Sequence, residues 1–192
     1  KEFGAAKALD GIDLEIADGQ VFGILGPNGS GKTTLLKIIA GVIKPTSGNV
    51  NVKGFDIESG REQIKKIVGY VPETPTLYES LTPREFLNFV ASIREINKDK
   101  FKERAENFCK AFSIEDNLDE PIGSLSFGTK QKVAVIGAML HDPDVLVLDE
   151  AMNGLDPKSS KILKTLLKDL SARGKCVNFF KPYYGSCGGI FV

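Results

Sequence analysis

The spacing of apolar residues changes along this chain, and the changes divide it into elements. Residues 12–16, Ile-Asp-Leu-Glu-Ile, alternate apolar with acidic positions, the period of a half-buried strand, and the turn residues 17–20 predict a hairpin into the next strand. That strand is the apolar run Val21, Phe22, Gly23, Ile24 and Leu25. Beyond a glycine-rich turn, residues 34–40 read as a helix ending at Gly41, a residue suited to the position just past a helix end. Residues 45–48, Pro-Thr-Ser-Gly, make a turn, and 49–52 alternate as a short strand. Residues 63–66 predict helix, and 67–71 a buried strand closed by Pro72.

From residue 76 the pattern becomes helical. Thr82, Pro83 and Glu85 spell a capping box with proline at the first helical position, and Phe86, Leu87, Phe89, Val90 and Ile93 form the expected apolar face. A second helix over 100–112 carries Phe101, Ala105, Phe108 and Phe112 at helical spacing, which makes them core residues. Ser126 is a natural N-cap for a helix over 129–140, whose free N–H groups form an anion site. Residues 145–150 are an apolar strand without alternation, as in a sheet covered on both faces, and end in Asp149 and Glu150. His141, the only histidine, reads as a solvated turn residue at the opposite strand end. A helix over 158–172 stops at Gly174, 176–180 is a last strand, and 181–192 show no helical period. The fold class expected is α/β: a mostly parallel core sheet with a small antiparallel β subdomain (residues 1–75 and 132–192) and an inserted α-helical subdomain (76–131).

Composition narrows the function classes. With 192 residues, 42% apolar and 26% charged, the chain can build one sizeable core. Lys+Arg and Asp+Glu balance at 25 each, so no net positive field favours nucleic acid or an acidic membrane surface, and no nucleic-acid partner is expected. The longest apolar run, residues 133–140, is far short of the roughly 20 that span a bilayer, so a membrane role needs a partner. Cys109, Cys176 and Cys187 are scattered, which suits a reducing cytoplasm and argues against a zinc site or disulfide frame. The chain opens at Lys1 without an initiator Met or signal peptide, as a trimmed fragment would.

The chemistry concentrates at Gly26, Pro27, Asn28, Gly29, Ser30, Gly31, Lys32 and Thr33, between a strand and the helix that begins near Thr34. This is a P-loop pattern: glycines let consecutive N–H groups curl around phosphate oxygens, and the helix points its positive end at the same place. Lys32 can reach the β- and γ-phosphates and Thr33 can offer its hydroxyl to Mg²⁺. Ligands of open parallel sheets sit at the carboxyl ends of the strands, where Asp149 and Glu150 also fall. Asp149 is therefore expected to hold the metal and Glu150 to act as base on a water attacking the γ-phosphate. Phe3 could stack on an adenine face or be an ordinary core or chain-end residue.

In this order the motifs resemble the nucleotide-binding domain of the ATP-binding cassette (ABC) transporter family, within the P-loop NTPases, over residues 3 to about 180. Gly26 to Thr33 matches Walker A, Glu73 stands at the Q-loop position, 125–132 match the signature, 145–150 Walker B, and Gly154, Leu155 and Asp156 the D-loop. The resemblance implies ATP and Mg²⁺ as cofactors, with Thr34 also in the nucleotide site, Glu73 near metal and water, and Phe3 on the adenine. It implies a homo- or heterodimer stacked head to tail, each ATP held between Walker A of one chain and Ser126, Phe127, Gly128 and Thr129 of the other. The implied activity is ATP hydrolysis powering solute transport through separate integral membrane subunits, on the cytoplasmic face of the membrane. Glu73, where glutamine is usual, tilts the reading toward export. Phe127 and Thr129 replace the usual Gly and Gln, and Ala151 replaces a usual Pro. A non-transport clamp or regulator, or a degenerate partner subunit, are the alternatives.

After Phe180 the family's Ser/Thr-His switch is absent. Residues 181–188 can be encoded so that a one-base shift reads Ser-His-Ile-Met-Glu-Val-Val, which suggests a frameshift; coding DNA without His in the shifted frame would sink that idea.

Overall fold

The computed structural model describes residues 1–180; the frameshift reading falls on 181–192, outside the described residues. Two short strands, β1 (Glu2–Phe3) and β2 (Ala6–Lys7), pair antiparallel at the start. They are followed by β3 (Val21–Ile24), α1 (Lys32–Ile39), and the antiparallel pair β4 (Asn51–Val52) and β5 (Phe55–Asp56). Next come α2 (Arg61–Ile67), β6 (Val68–Val71), α3 (Pro83–Ile93), α4 (Lys98–Phe112) and α5 (Phe127–Met139). β7 (Val145–Leu148), α6 (Pro157–Ala172) and β8 (Cys176–Phe180) complete the order.

The core is a four-stranded parallel sheet in the order β3-β8-β7-β6. β7 is central and apolar on both faces for a visible reason. Val145 and Val147 join Leu36, Ile57, Ile64 and Cys176 in one apolar cluster, while Leu146 and Leu148 join Phe112, Ile136, Leu163 and Val177 in the other. Successive strand residues point to opposite faces, so a strand between two helical layers has no polar side to offer.

Local signals set the helices. Thr82 and Glu85 form the reciprocal capping box of α3, with Pro83 in its first turn. Asn97 caps α4 through the backbone N–H groups of Asp99 and Lys100, and Ser126 caps α5. Gly41, at φ 69°, follows the end of α1 in the left-handed conformation.

Three expectations are corrected. Residues 12–16 form no strand: Ile12 is 52% and Leu14 41% exposed, and the antiparallel part consists of the two separate pairs β1-β2 and β4-β5. Alternation requires a neighbouring strand as well as a covering layer. Here the segment stands off from Val50 and Val52 across a cavity of about 830 Å³. On α3, Phe86, Leu87 and Val90 face the core, but Phe89 and Ile93 are 41% and 64% exposed; Tyr78 meets Phe89 edge to face at 5.4 Å between ring centres. The apolar stripe is wider than the surface that covers it. His141 does sit at the strand end opposite Asp149, yet it is not solvated: its ring nitrogens are buried beside the Arg94 guanidinium, and burial lowers its pKa to about 4.

Candidate functional site

The parallel sheet brings two loops together. β3 and β7 flank β8, so the turn leaving β3 and the acids leaving β7 emerge side by side at the carboxyl edge. Within the turn, Gly29 and Gly31 have φ 79° and 86°, which glycine adopts without steric cost. Gly31 is also crowded: a Cβ there would lie 2.2 Å from the Ala8 carbonyl oxygen and 2.7 Å from Leu9 Cδ2. Gly31 is the N-cap of α1 and offers no side chain, and the first turn carries no acid, so the helix end is open toward an anion.

Lys32 is buried, folded back over the turn, where its Nζ donates to the Pro27 carbonyl and, at 3.1 Å, to Ser30 Oγ. Thr33 Oγ1 donates to Asp149 Oδ1 at 3.2 Å. Asp149 is 1% exposed, and its other oxygen, Oδ2, is buried without a hydrogen-bond partner among the described residues. Burial holds the Asp149 carboxyl above its usual range, opposed by the Thr33 hydroxyl and reinforced by Glu73. A hydroxyl, a bonded carboxylate oxygen and an orphaned one form a hard-oxygen set that suits Mg²⁺.

Glu150 follows in a left-handed conformation, φ 51°, rare for a residue with a side chain. Burial and the Glu73 carboxylate raise its pKa, while the Asn153 side-chain amide, donating to Glu150 Oε2, lowers it. A cavity of about 390 Å³ joins these parts, lined by Asn28, Lys32, Thr33, Thr34, Glu73 and Glu150 together with Gly29 and Gly31. An exposed Glu73 thus reaches the same space from the loop after β6.

The remaining candidates lie elsewhere. Ser126, Phe127, Gly128 and Thr129 open α5 and do not line this cavity; Ser126 accepts from the Thr129 N–H and lies 2.9 Å from Thr129 Oγ1. Asp156 caps α6 through Ser159 and pairs with Lys132 at 2.8 Å, and these partners hold its carboxyl well below the usual range. Phe3 is 52% exposed on β1, with Lys1 Nζ 5.0 Å from its ring centre. Residues that sequence reasoning missed are Ala8 and Leu9, which close over Gly31, Asn153, which holds Glu150, and Tyr70, whose buried hydroxyl lies near Asp149 and whose ionisation is suppressed by burial and by that carboxylate. Only Asn153 left a signal, an Asn three residues beyond an acid in a turn.

The ABC transporter family model matches residues 9–153. The ABC transporter ATP-binding protein NatA of Bacillus subtilis (strain 168) is 36% identical over 90% of this chain and 71% of its own length. The bacitracin transport ATP-binding protein BcrA of Bacillus licheniformis is 34% identical over 95% of this chain, and the Nod factor export ATP-binding protein I of Burkholderia pseudomallei (strain 1710b) is 33% identical over 92%. This chain spans 59% and 58% of those two proteins. Among solved structures, an ATP-binding subunit of an ABC transporter superposes with a TM-score of 0.87 at 29% identity, covering 94% of this chain and 75% of that one. A dimeric ATP-binding cassette in a post-hydrolysis state with ADP and Pi bound gives 0.83 at 28% identity, covering 91% and 79%. The family model's match over most of the chain and the 36% identity to a relative covered over 71% of its length place the chain in the ABC transporter family, as one of its ATP-binding domains.

Proposed function

We propose that this chain is the ATP-hydrolysing subunit of a transporter that moves solute, with export favoured, through separate integral membrane subunits. The single observation that carries the reading is the Thr33–Asp149 contact with its orphaned Oδ2, set against the crowded glycine cradle. The names of BcrA and the Nod factor export protein support a transport role and, for the latter, its direction.

The roles follow from position. The backbone N–H groups of 29–33 and Lys32 hold the β- and γ-phosphates, so Lys32 must exchange its bonds to Pro27 and Ser30 for phosphate oxygens. Thr33 and Asp149 would hold Mg²⁺, which when bound supplies positive charge against the phosphate oxygens. Glu73 orients the attacking water from the far wall. Glu150 accepts a proton from that water as its oxygen bonds to the γ-phosphorus and the bond to the β-phosphate oxygen breaks, leaving ADP and phosphate. The raised pKa of Glu150 brings it closer to the range useful for a base near neutrality.

Ser126 and the amino end of α5 supply an anion site with no phosphate of their own, complementary to the ATP of a second domain stacked head to tail. Phe3 would stack on adenine, and Asp156 would face the partner's nucleotide loop. Residues 76–124, with Tyr78, Phe89 and Ile93 exposed, would dock on a membrane subunit at the cytoplasmic face. Among the described residues no helix is long and apolar enough to cross a membrane.

Glu150→Gln tests the assignment. The variant should bind MgATP, lose about 10²–10³-fold in turnover and accumulate as an ATP-dependent dimer. A variant that stays monomeric at saturating MgATP would falsify the reading.

A further inference from the structure

Phe127 stands at the tip of α5 and is 47% exposed, yet its ring edge lies tightly on Gly154. A Cβ at Gly154 would fall 2.4 Å from Phe127 Cδ1 and 2.5 Å from Cε1, and Gly154 itself has φ 77°. Neighbouring positions of the helix touch the same segment. A Cβ at Gly128 would lie 2.6 Å from the Gly154 carbonyl oxygen, Gln131 Nε2 donates to the Ala151 carbonyl at 3.2 Å, and Lys132 pairs with Asp156. Residues 127 and 131, like 128 and 132, are one helical turn apart, so a single face of α5 grips residues 151–156.

That segment begins at Glu150. The Asn153 backbone N–H donates to the Glu150 carbonyl at 2.8 Å, and the Asn153 side chain donates to the Glu150 carboxylate. A left-handed Glu150 is strained and persists only where its surroundings fix it. The turn's contacts with α5 supply that constraint. Gln131 and Lys132 hold its two ends, and the ring of Phe127 lies over Gly154, next to Asn153.

We propose that Phe127 is a positioning residue: seated on Gly154, its ring keeps Asn153 against Glu150 and so fixes the base carboxylate of this chain's own nucleotide site. The inference rests on the reading of Glu150 as the base. Because α5 also carries Ser126, the helix tip offered to a second domain's ATP and the carboxylate acting on this chain's ATP move as one body.

The test compares Phe127→Ala, which keeps helix propensity but removes the ring, with Phe127→Tyr, which keeps the ring. Phe127→Ala should speed amide exchange across 150–155 by about tenfold and lower kcat by about tenfold with KM for MgATP within about twofold. Phe127→Tyr should keep exchange across 150–155 as slow as in the wild type. Unchanged exchange in Phe127→Ala would overturn the proposal. So would faster exchange with an unchanged kcat, or a Phe127→Tyr chain that exchanges as fast as Phe127→Ala. Turnover left unchanged by Glu150→Gln would instead count against the base assignment, and the exchange comparison then decides alone whether the ring holds the turn.

Discussion

Thr33 and Asp149 stand 116 positions apart and share a hydrogen bond of 3.2 Å that links the glycine-rich turn to the acids after β7. The bond uses one carboxylate oxygen and leaves the other buried and unpartnered among the described residues, open to a cation or a hydrogen-bond donor. In the nucleotide-free chain the ionised carboxylate is a cost.

The first prediction follows from the sign of that cost. Burial raises the folded-state pKa of Asp149, so its stabilising protonated form is present below the ordinary value of 3.8 and is lost as pH rises through the folded value. Asp149→Asn fixes a neutral group there and should raise the nucleotide-free melting temperature at pH 7. The same variant should lose most of the stabilisation by MgATP, which for the wild type amounts to about 2.7 kcal/mol at a ligand concentration of 100 Kd. Equal MgATP-induced melting shifts in both proteins would contradict a metal role for Asp149.

Gly31→Ala should damage stability and nucleotide binding together. The added Cβ meets the Ala8 carbonyl oxygen at 2.2 Å, backbone rather than a flexible side-chain tip, at a φ of 86° that alanine rarely adopts. A loss of about 2–4 kcal/mol is expected from urea unfolding, with MgATP affinity reduced at least about tenfold. Unimpaired unfolding would mean that residues 8–9 do not close over the turn.

Thr82→Ala separates fold from site. Thr82 Oγ1 accepts from the Glu85 N–H at 3.2 Å, and Glu85 Oε2 accepts from the Thr82 N–H at 2.9 Å, so removing the hydroxyl breaks half of the capping box. Stability should fall by about 1 kcal/mol and the melting temperature by about 2–4 °C, with MgATP affinity unchanged.

His141 should set an acid-side loss of stability. Burial, then the nearby Arg94 charge, lowers its folded pKa from 6.5 to about 4, with Lys175 acting in the same direction and Asp142 in the opposite one. The unfolded chain therefore takes up a proton that the folded ring refuses. Stability is full above about 6.5 and declines as pH falls toward about 4, by an amount on the order of 2–3 kcal/mol. Urea unfolding of His141→Leu between pH 7 and 4.5 should show a flatter decline than the wild type. Parallel profiles would place the titration elsewhere.

The exposed Tyr78–Phe89 pair and Ile93 give a prediction about docking. Phe89→Arg should leave MgATP binding within about twofold and abolish co-purification with a membrane subunit, because a charge in the middle of an apolar contact is buried unpaired. Retained co-purification would remove α3 from the docking face.

What the chain spelled out locally, it spelled out well. The P-loop between β3 and α1, the Thr82 capping box, the Ser126 cap and the uninterrupted apolar run of β7 each depend on residues within a few positions of one another, so their chemistry is legible without a partner. The same adjacency made Lys32, Thr33, Asp149 and Glu150 visible as candidates, since the carboxyl edge of a parallel sheet collects whatever follows its strands. Tertiary structure decided the rest. Among the described residues, 12–16 carry the alternation of a strand but pair with no neighbour, and Phe89 and Ile93 carry the spacing of a core face but stay exposed. Ala8 against Gly31, Tyr70 beside Asp149 and Phe127 on Gly154 join residues that are remote in sequence or placed by turns no local pattern encodes. Periodicity reports which side of an element prefers to be dry, but whether that side is covered, and by what, depends on where the chain returns in space.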